Sequence, residues 1–157
     1  MPDDREFFRQ VVEKQQHRPS ARAIIFDSTR RHILVEKNLD AREQYVNFPG
    51  GGIELGETLQ ECIAREMMEE IGATVRDFEF LFLVENFILF EGQLLGGIEL
   101  YCEITLDTDK IEPQEDGYEF HWIKVADLKD LDLRPAFVRD QIFDGTYRDV
   151  RHLVTKG

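Results

Sequence analysis

Cysteine is scarce: the 157 residues contain two, Cys62 and Cys102, at no spacing that suits a metal or a redox pair. A disulfide framework and a thiolate metal site are therefore not expected, and both side chains read as reduced, buried thiols. Basic residues are also few, with 19 Lys and Arg against 32 Asp and Glu and a net charge of −13. That balance works against electrostatic capture of a nucleic-acid polymer, which needs a basic surface. No apolar run approaches the length needed to span a bilayer, so no membrane partner is expected. The first residues carry no signal-peptide pattern, and a cytoplasmic protein is the simple expectation. What remains is a chain of single-domain length, large enough for a real core.

The acid is not evenly spread. Residues 51–73 read GGIELGETLQECIAREMMEEIGA and put Glu66, Glu69 and Glu70 within one expected helical turn. Carboxylates three and four residues apart on a helix are neighbours and repel. Acidic runs usually form a solvated face. A helical projection at roughly 100° per residue argues otherwise here. Leu59, Ile63, Met67 and Ile71 form the apolar stripe, Glu70 projects between Leu59 and Ile63, and Glu66 lies beside Leu59. A carboxylate leaning toward the buried side is costly unless it is paired or holds a metal. Arg65 can pair with Glu69 four residues on, which leaves Glu66 and Glu70 in need of a partner. Hard carboxylate oxygens suit Mg²⁺ or Mn²⁺.

The surroundings of this turn are legible. Thr58 followed by Glu61 reads as a capping box that starts a helix at about Leu59, and Gly72 stands where a glycine ends one. Upstream, Asn47-Phe48-Pro49-Gly50-Gly51-Gly52 is expected to be neither helix nor strand interior. Its glycines let backbone approach a ligand closely.

Together these residues resemble the Nudix box. Gly51, five residues, Glu57, seven residues, Arg65-Glu66-Met67, one residue, Glu69-Glu70, one residue and Gly72 reproduce its fixed positions and spacing. Ala73 departs from the pattern, where the family usually has a bulkier aliphatic residue. The resemblance implies hydrolysis of a nucleoside diphosphate linked to another moiety, with Mg²⁺ or Mn²⁺ as cofactor. Carried over by position, it implies Glu66, Glu69, Glu70 and the Gly50 carbonyl as metal ligands, with Glu57 in the outer shell. Glu66 or Glu70 is the candidate within the box for activating water, and Arg65 orients the glutamates. Some family members take the base from a later loop, which brings in the segment Glu115-Asp116-Gly117-Tyr118-Glu119, with Glu119 favoured. Dimers are common in the family, so a homodimer is an open expectation.

The fold class expected is α/β, a Nudix-type α/β/α sandwich with a mixed β-sheet between helices. One domain is expected over residues 1–157, with a short helical extension at about 1–17. Residues 21–27 and 32–37 read as a hairpin, and so do the runs flanking residues 92–96. Residues 77–86 and 87–91 read as separate apolar runs. A strand is expected at 118–125, a helical turn at 126–131, and a last helix at 135–143 opened by proline and stopped at Gly145.

Substrate identity is thinly signalled. The partner expected is a small nucleotide-type diphosphate: a nucleotide sugar, a dinucleotide or a nucleoside triphosphate. Residues that tell family subgroups apart, such as a downstream proline or tyrosine, are missing from 85–92. Tyr45, Phe48, Phe87, Phe90 and Trp122 are candidates to stack on a base. Arg18, Arg22, Arg42 and Arg134 are candidates to clamp phosphate, and His121 to touch it. Two other classes stay open: a nucleotide-binding regulator that does not cut its ligand, and an isopentenyl-diphosphate-type isomerase. The first would be expected to lose box glutamates, and Cys62 is a poor match to the cysteine of the second.

Overall fold

The structure, a computed structural model, describes residues 4–14, 19–41 and 43–156. Arg18 and Arg42 lie outside the described residues. Among the described residues there are three α-helices: α1 (Asp4–Lys14), α2 (Leu59–Ile71) and α3 (Ala136–Phe143). The strands are β1 (Pro19–Ile25), β2 (His32–Asn38), β3 (Val46–Asn47), β4 (Gly50–Gly52), β5 (Val75–Phe90), β6 (Gln93–Leu106), β7 (Tyr118–Lys124), β8 (Leu133–Arg134) and β9 (His152–Lys156). Among the described residues, no helix is long and apolar enough to cross a membrane.

The expected α/β class holds, but the strands form two mixed sheets rather than one. A five-stranded sheet runs β4-β1-β6-β5-β9 and a four-stranded sheet runs β7-β2-β3-β8. The 21–27/32–37 hairpin is therefore a corner between sheets, joined by a bridge from Phe26 to Ile33 and by the Asp27 carboxylate on His32. The reason lies in β1, where Ala21, Ala23, Ile24 and Ile25 are all buried. A strand buried on both faces belongs in a sheet interior. Both hydrogen-bonding edges of β1 are filled, by β4 antiparallel and β6 parallel, which leaves β2 to pair with β7.

Two further expectations change. Residues 75–90 form one continuous strand, and only Glu91 and Gly92, both at positive φ, make the turn into β6. Two central residues at positive φ match the twist of a tight two-residue hairpin, so residues 93–96 are strand, not loop. The glycine run is also strand: β4 pairs with Ser20–Arg22 of β1. A side chain at Gly50 would put its Cβ 1.9 Å from the Ala21 carbonyl oxygen. Only glycine admits that approach, which fixes the residue at position 50.

The helices cover opposite faces. On one, Ile63, Met67, Ile71 and Cys62 of α2 pack with Ala21, Ala23, Ile25, Leu34, Cys102 and Ile104. On the other, Val138 and Ile142 of α3 pack with Ile24, Ile33, Val35, Phe48, Phe82, Val84 and Tyr101. Each such aliphatic, fully buried, contributes about 1.5–3 kcal/mol. Both cysteines are free and buried as expected. The capping box forms as read: the Thr58 hydroxyl accepts from the Glu61 amide at 3.2 Å, and the Glu61 carboxylate accepts from the Thr58 amide at 2.8 Å. Gly72 ends α2 in the left-handed conformation.

Candidate active site

β4 and the middle of α2 face each other, and glycine sets their separation. A Cβ on Gly51 would lie 2.3 Å from Glu66 Oε1, so the Glu66 carboxylate rests directly on the Gly51 backbone. Arg65 ties strand, loop and helix together. Its Nε and one terminal nitrogen donate to Glu57 at 2.7 and 3.0 Å as a fork. The same nitrogen donates to the Gly52 carbonyl at 3.2 Å. The other donates to Glu66 at 2.9 Å and to Glu69 at 3.2 Å. Arg65 pairs with Glu69 as read and reaches Glu66 as well, because its fork spans more acceptors than a single i,i+4 pair. The Arg65 fork, with the Glu54 amide, pulls the Glu57 carboxyl down to about 2.

Glu70 is a different case. It is 8% exposed, and its Oε2 is buried with no hydrogen-bond partner. Burial, the nearby Glu36 charge and a hydrogen bond to Glu66 push its carboxyl far above the usual range, and Arg22 only partly opposes them. The projection toward the apolar side is borne out for Glu70, which is buried beside Ile63 and Met67 of the same helix.

The structure adds a carboxylate that the sequence reading overlooked. Glu36 on β2 is 6% exposed. Along β2, Ile33 and Val35 point to the α3 side, while Leu34 joins the α2 side. Strand alternation puts Glu36 with Leu34, under α2. Its cross-strand partner Phe120 also packs on the α2 side. Burial raises the Glu36 carboxyl, Arg22 pulls it back, and the charges of Glu66 and Glu115 raise it further. The signal was present in HILVEKN, where an acid occupies an inward position of an apolar strand.

Other candidates fall elsewhere. Glu119 lies on β7 next to Phe120, so its side chain takes the opposite face from Glu36 and α2. There it pairs with His121 at 3.0 Å. From the same acidic segment it is Glu115 whose charge reaches Glu36. Glu69 is half-exposed and turned to Arg65. Arg22 donates to the Phe48 carbonyl at 3.1 Å and pairs with Glu99 at 3.8 Å. Arg134 is held by Asp132 and Glu43 and covers the Tyr45 ring at 4.3 Å. Phe48 is core, edge-on to Tyr101, and the Trp122 indole donates to the Asp109 carbonyl. Phe87 is half-buried under Lys156. Among the described residues, no trio of His, Cys, Asp or Glu side chains already converges as a metal cage.

The comparisons agree with the geometry. The family model described as NUDIX domain matches residues 16–143. A Caenorhabditis elegans protein placed among the nudix hydrolases is 30% identical over 103 residues, 66% of this chain and 27% of that protein. An RNA pyrophosphohydrolase of Nitratiruptor is 26% identical over 125 residues, 69% of this chain and 80% of that protein. The chain spans only 27% and 37% of the first two curated relatives it matches. Among solved structures, a MutT from work on Aliivibrio salmonicida and Vibrio cholerae matches with a TM-score of 0.67 at 25% identity, over 83% of this chain and 99% of that one. With the family match running over most of its length and the glycine strand laid against the glutamate helix, this chain belongs to the Nudix hydrolases.

Proposed function

We propose that this Nudix hydrolase cleaves the diphosphate linkage of a small nucleoside diphosphate derivative, using Mg²⁺ or Mn²⁺ held between β4 and α2. The observation that carries the reading is Glu70, with a buried oxygen that lacks any partner and two further carboxylates close by. Such a group is costly to bury. A hard divalent cation relieves both the missing contact and the mutual repulsion. The residues that would hold it are the Gly50 carbonyl, Glu66, Glu69 and Glu70, with Glu57 outside them. Bound there, it neutralises diphosphate charge and lowers the pKa of water.

The chain's own residues supply the rest. Arg65 holds Glu57, Glu66 and Glu69 in one orientation, so few side-chain rotations remain to be fixed when substrate arrives. Glu66 or Glu70 accepts the proton of the attacking water. Glu119, on the far face, is poorly placed for that task; Glu115 is the acid of its segment that acts on the cluster. The net charge of −13 favours a small substrate over a polymer, although relatives are named RNA pyrophosphohydrolases. A substrate panel should therefore set nucleotide sugars, dinucleotides and nucleoside triphosphates beside a triphosphate-ended RNA.

Glu70→Gln, with folding checked by thermal melt, tests the reading on the best substrate of that panel. Turnover should fall by about 10²–10⁴, the range for a positioned acid or base. Wild-type turnover in the folded variant would remove Glu70 from the mechanism.

A further inference from the structure

Glu36 lies outside the glycine-rich loop and the glutamate helix, yet it is as deeply buried as Glu70. An acid at an inward strand position ordinarily has a cation of its own. Arg22 is the nearest, but the ion pair Arg22 makes is with Glu99 at 3.8 Å, and its terminal nitrogen donates to the Phe48 carbonyl. Arg22 thus moderates the charge of Glu36 from a distance without forming a contact pair. Within electrostatic reach of Glu36 is Glu70, only 8% exposed, whose Oε2 is partnerless. The electrostatic neighbours of Glu70 are Glu36, Glu66 and Arg22. Glu66 and Glu115 also act on Glu36. The space between β2 and α2 therefore gathers three buried or half-buried carboxylates against one cation already engaged elsewhere.

We propose that Glu36 is a fourth carboxylate of the divalent-cation site, reaching it from β2 while Glu66 and Glu70 reach it from α2. This rests on the function proposed above and extends the site beyond its helix. Ligands from one helix turn approach a cation from one side. A carboxylate from the facing strand closes the other side, as hard cations with six or more oxygen ligands require. The orphaned Glu70 oxygen and the buried Glu36 carboxylate then have the same partner. Arg22, anchored on Phe48 and Glu99, keeps the cluster tolerable when the cation is away.

The test is Mn²⁺ binding to the full chain without substrate, by calorimetry and by the shift in melting temperature between EDTA and Mn²⁺. The proteins compared are wild type, Glu36→Gln, Glu36→Asp and the surface control Glu112→Gln. Glu36→Gln should weaken Mn²⁺ binding by about 10–100-fold, the range for groups that support a metal site. In EDTA it should melt no lower than wild type, because a buried charge has been removed. Glu36→Asp keeps the charge but draws it back by one methylene, so its affinity should fall between the two; it also serves if the Gln variant does not fold. The control should bind as wild type does. Wild-type affinity in both Glu36 variants, with wild type itself binding Mn²⁺, overturns the role of Glu36 and leaves the proposed hydrolysis standing. No Mn²⁺ binding by the wild type would sink both.

Discussion

Alanine at Gly50 and alanine at Gly51 should produce opposite failures, although the residues are adjacent. At Gly51 the new Cβ would sit 2.3 Å from Glu66 Oε1, where ordinary contact begins at 3.4 Å. The difference, 3.4 − 2.3, asks the carboxylate to retreat by 1.1 Å. It is the end of a side chain and can move, but moving strains the 2.9 Å bond from Arg65 and the link to Glu70. Displacing a reacting group by about 1 Å costs about 10²-fold in rate, or roughly 2.7 kcal/mol of barrier. At Gly50 the obstacle is the Ala21 carbonyl oxygen at 1.9 Å, which is backbone of the paired strand. Nothing there can rotate away, so β4 must leave β1. The assay is steady-state turnover on the best substrate beside thermal melts of both variants. Gly51→Ala should melt near wild type with kcat down about 10²-fold, while Gly50→Ala should lose stability outright. Wild-type kcat in Gly51→Ala, or equal melting temperatures for the two variants, would refute the close fit between β4 and Glu66.

Arg65→Lys gives up the fork to Glu57 and should lower the urea midpoint relative to wild type at neutral pH. Glu57 is held down to about 2 from an ordinary 4.5, so the contact stabilises the fold above pH 4.5 and is lost as pH falls toward 2. The gap between wild type and the lysine variant should therefore close over that acid range, and a gap independent of pH would count against the Glu57 fork. Burial raises the Cys62 and Cys102 thiols to about 12. At pH 8 neither thiol should react with a disulfide reagent in the folded protein, and both should react in denaturant; rapid labelling of the native chain would contradict the buried placement.

What the sequence made legible was local. The start, stop and apolar stripe of α2 depend on neighbours three and four residues apart, and all appear as read. The choice of partner for β1 was not legible, because it depends on β4 and β6, the latter some eighty residues away (Ala23 lies opposite Cys102). The site divides along the same line. Glu66 and Glu70 sit on a helix whose phase can be projected, and Glu70 is buried as that phase requires. The inward position of Glu36 was legible in HILVEKN, but its meeting with the α2 glutamates depends on β2 lying on the α2 side. Glu119 and Glu115 are four positions apart in one acidic segment, and strand alternation within β7 sends Glu119 to the far face. No local rule distinguishes them until β7 is registered on β2.

β4 is also an outer strand of the five-stranded sheet. Outer strands invite addition of a foreign chain through their free backbone groups. Here the strand is three residues long, and α2 covers two of its three carbonyls: Arg65 donates to Gly52, and the Cys62 thiol lies 3.8 and 3.6 Å from the Gly51 and Gly52 oxygens. The contacts that aim the glutamates thus also close this edge to self-association. A substitution at Arg65 would carry a solubility penalty distinct from its effect on turnover, because it reopens a backbone template at the rim of the sheet.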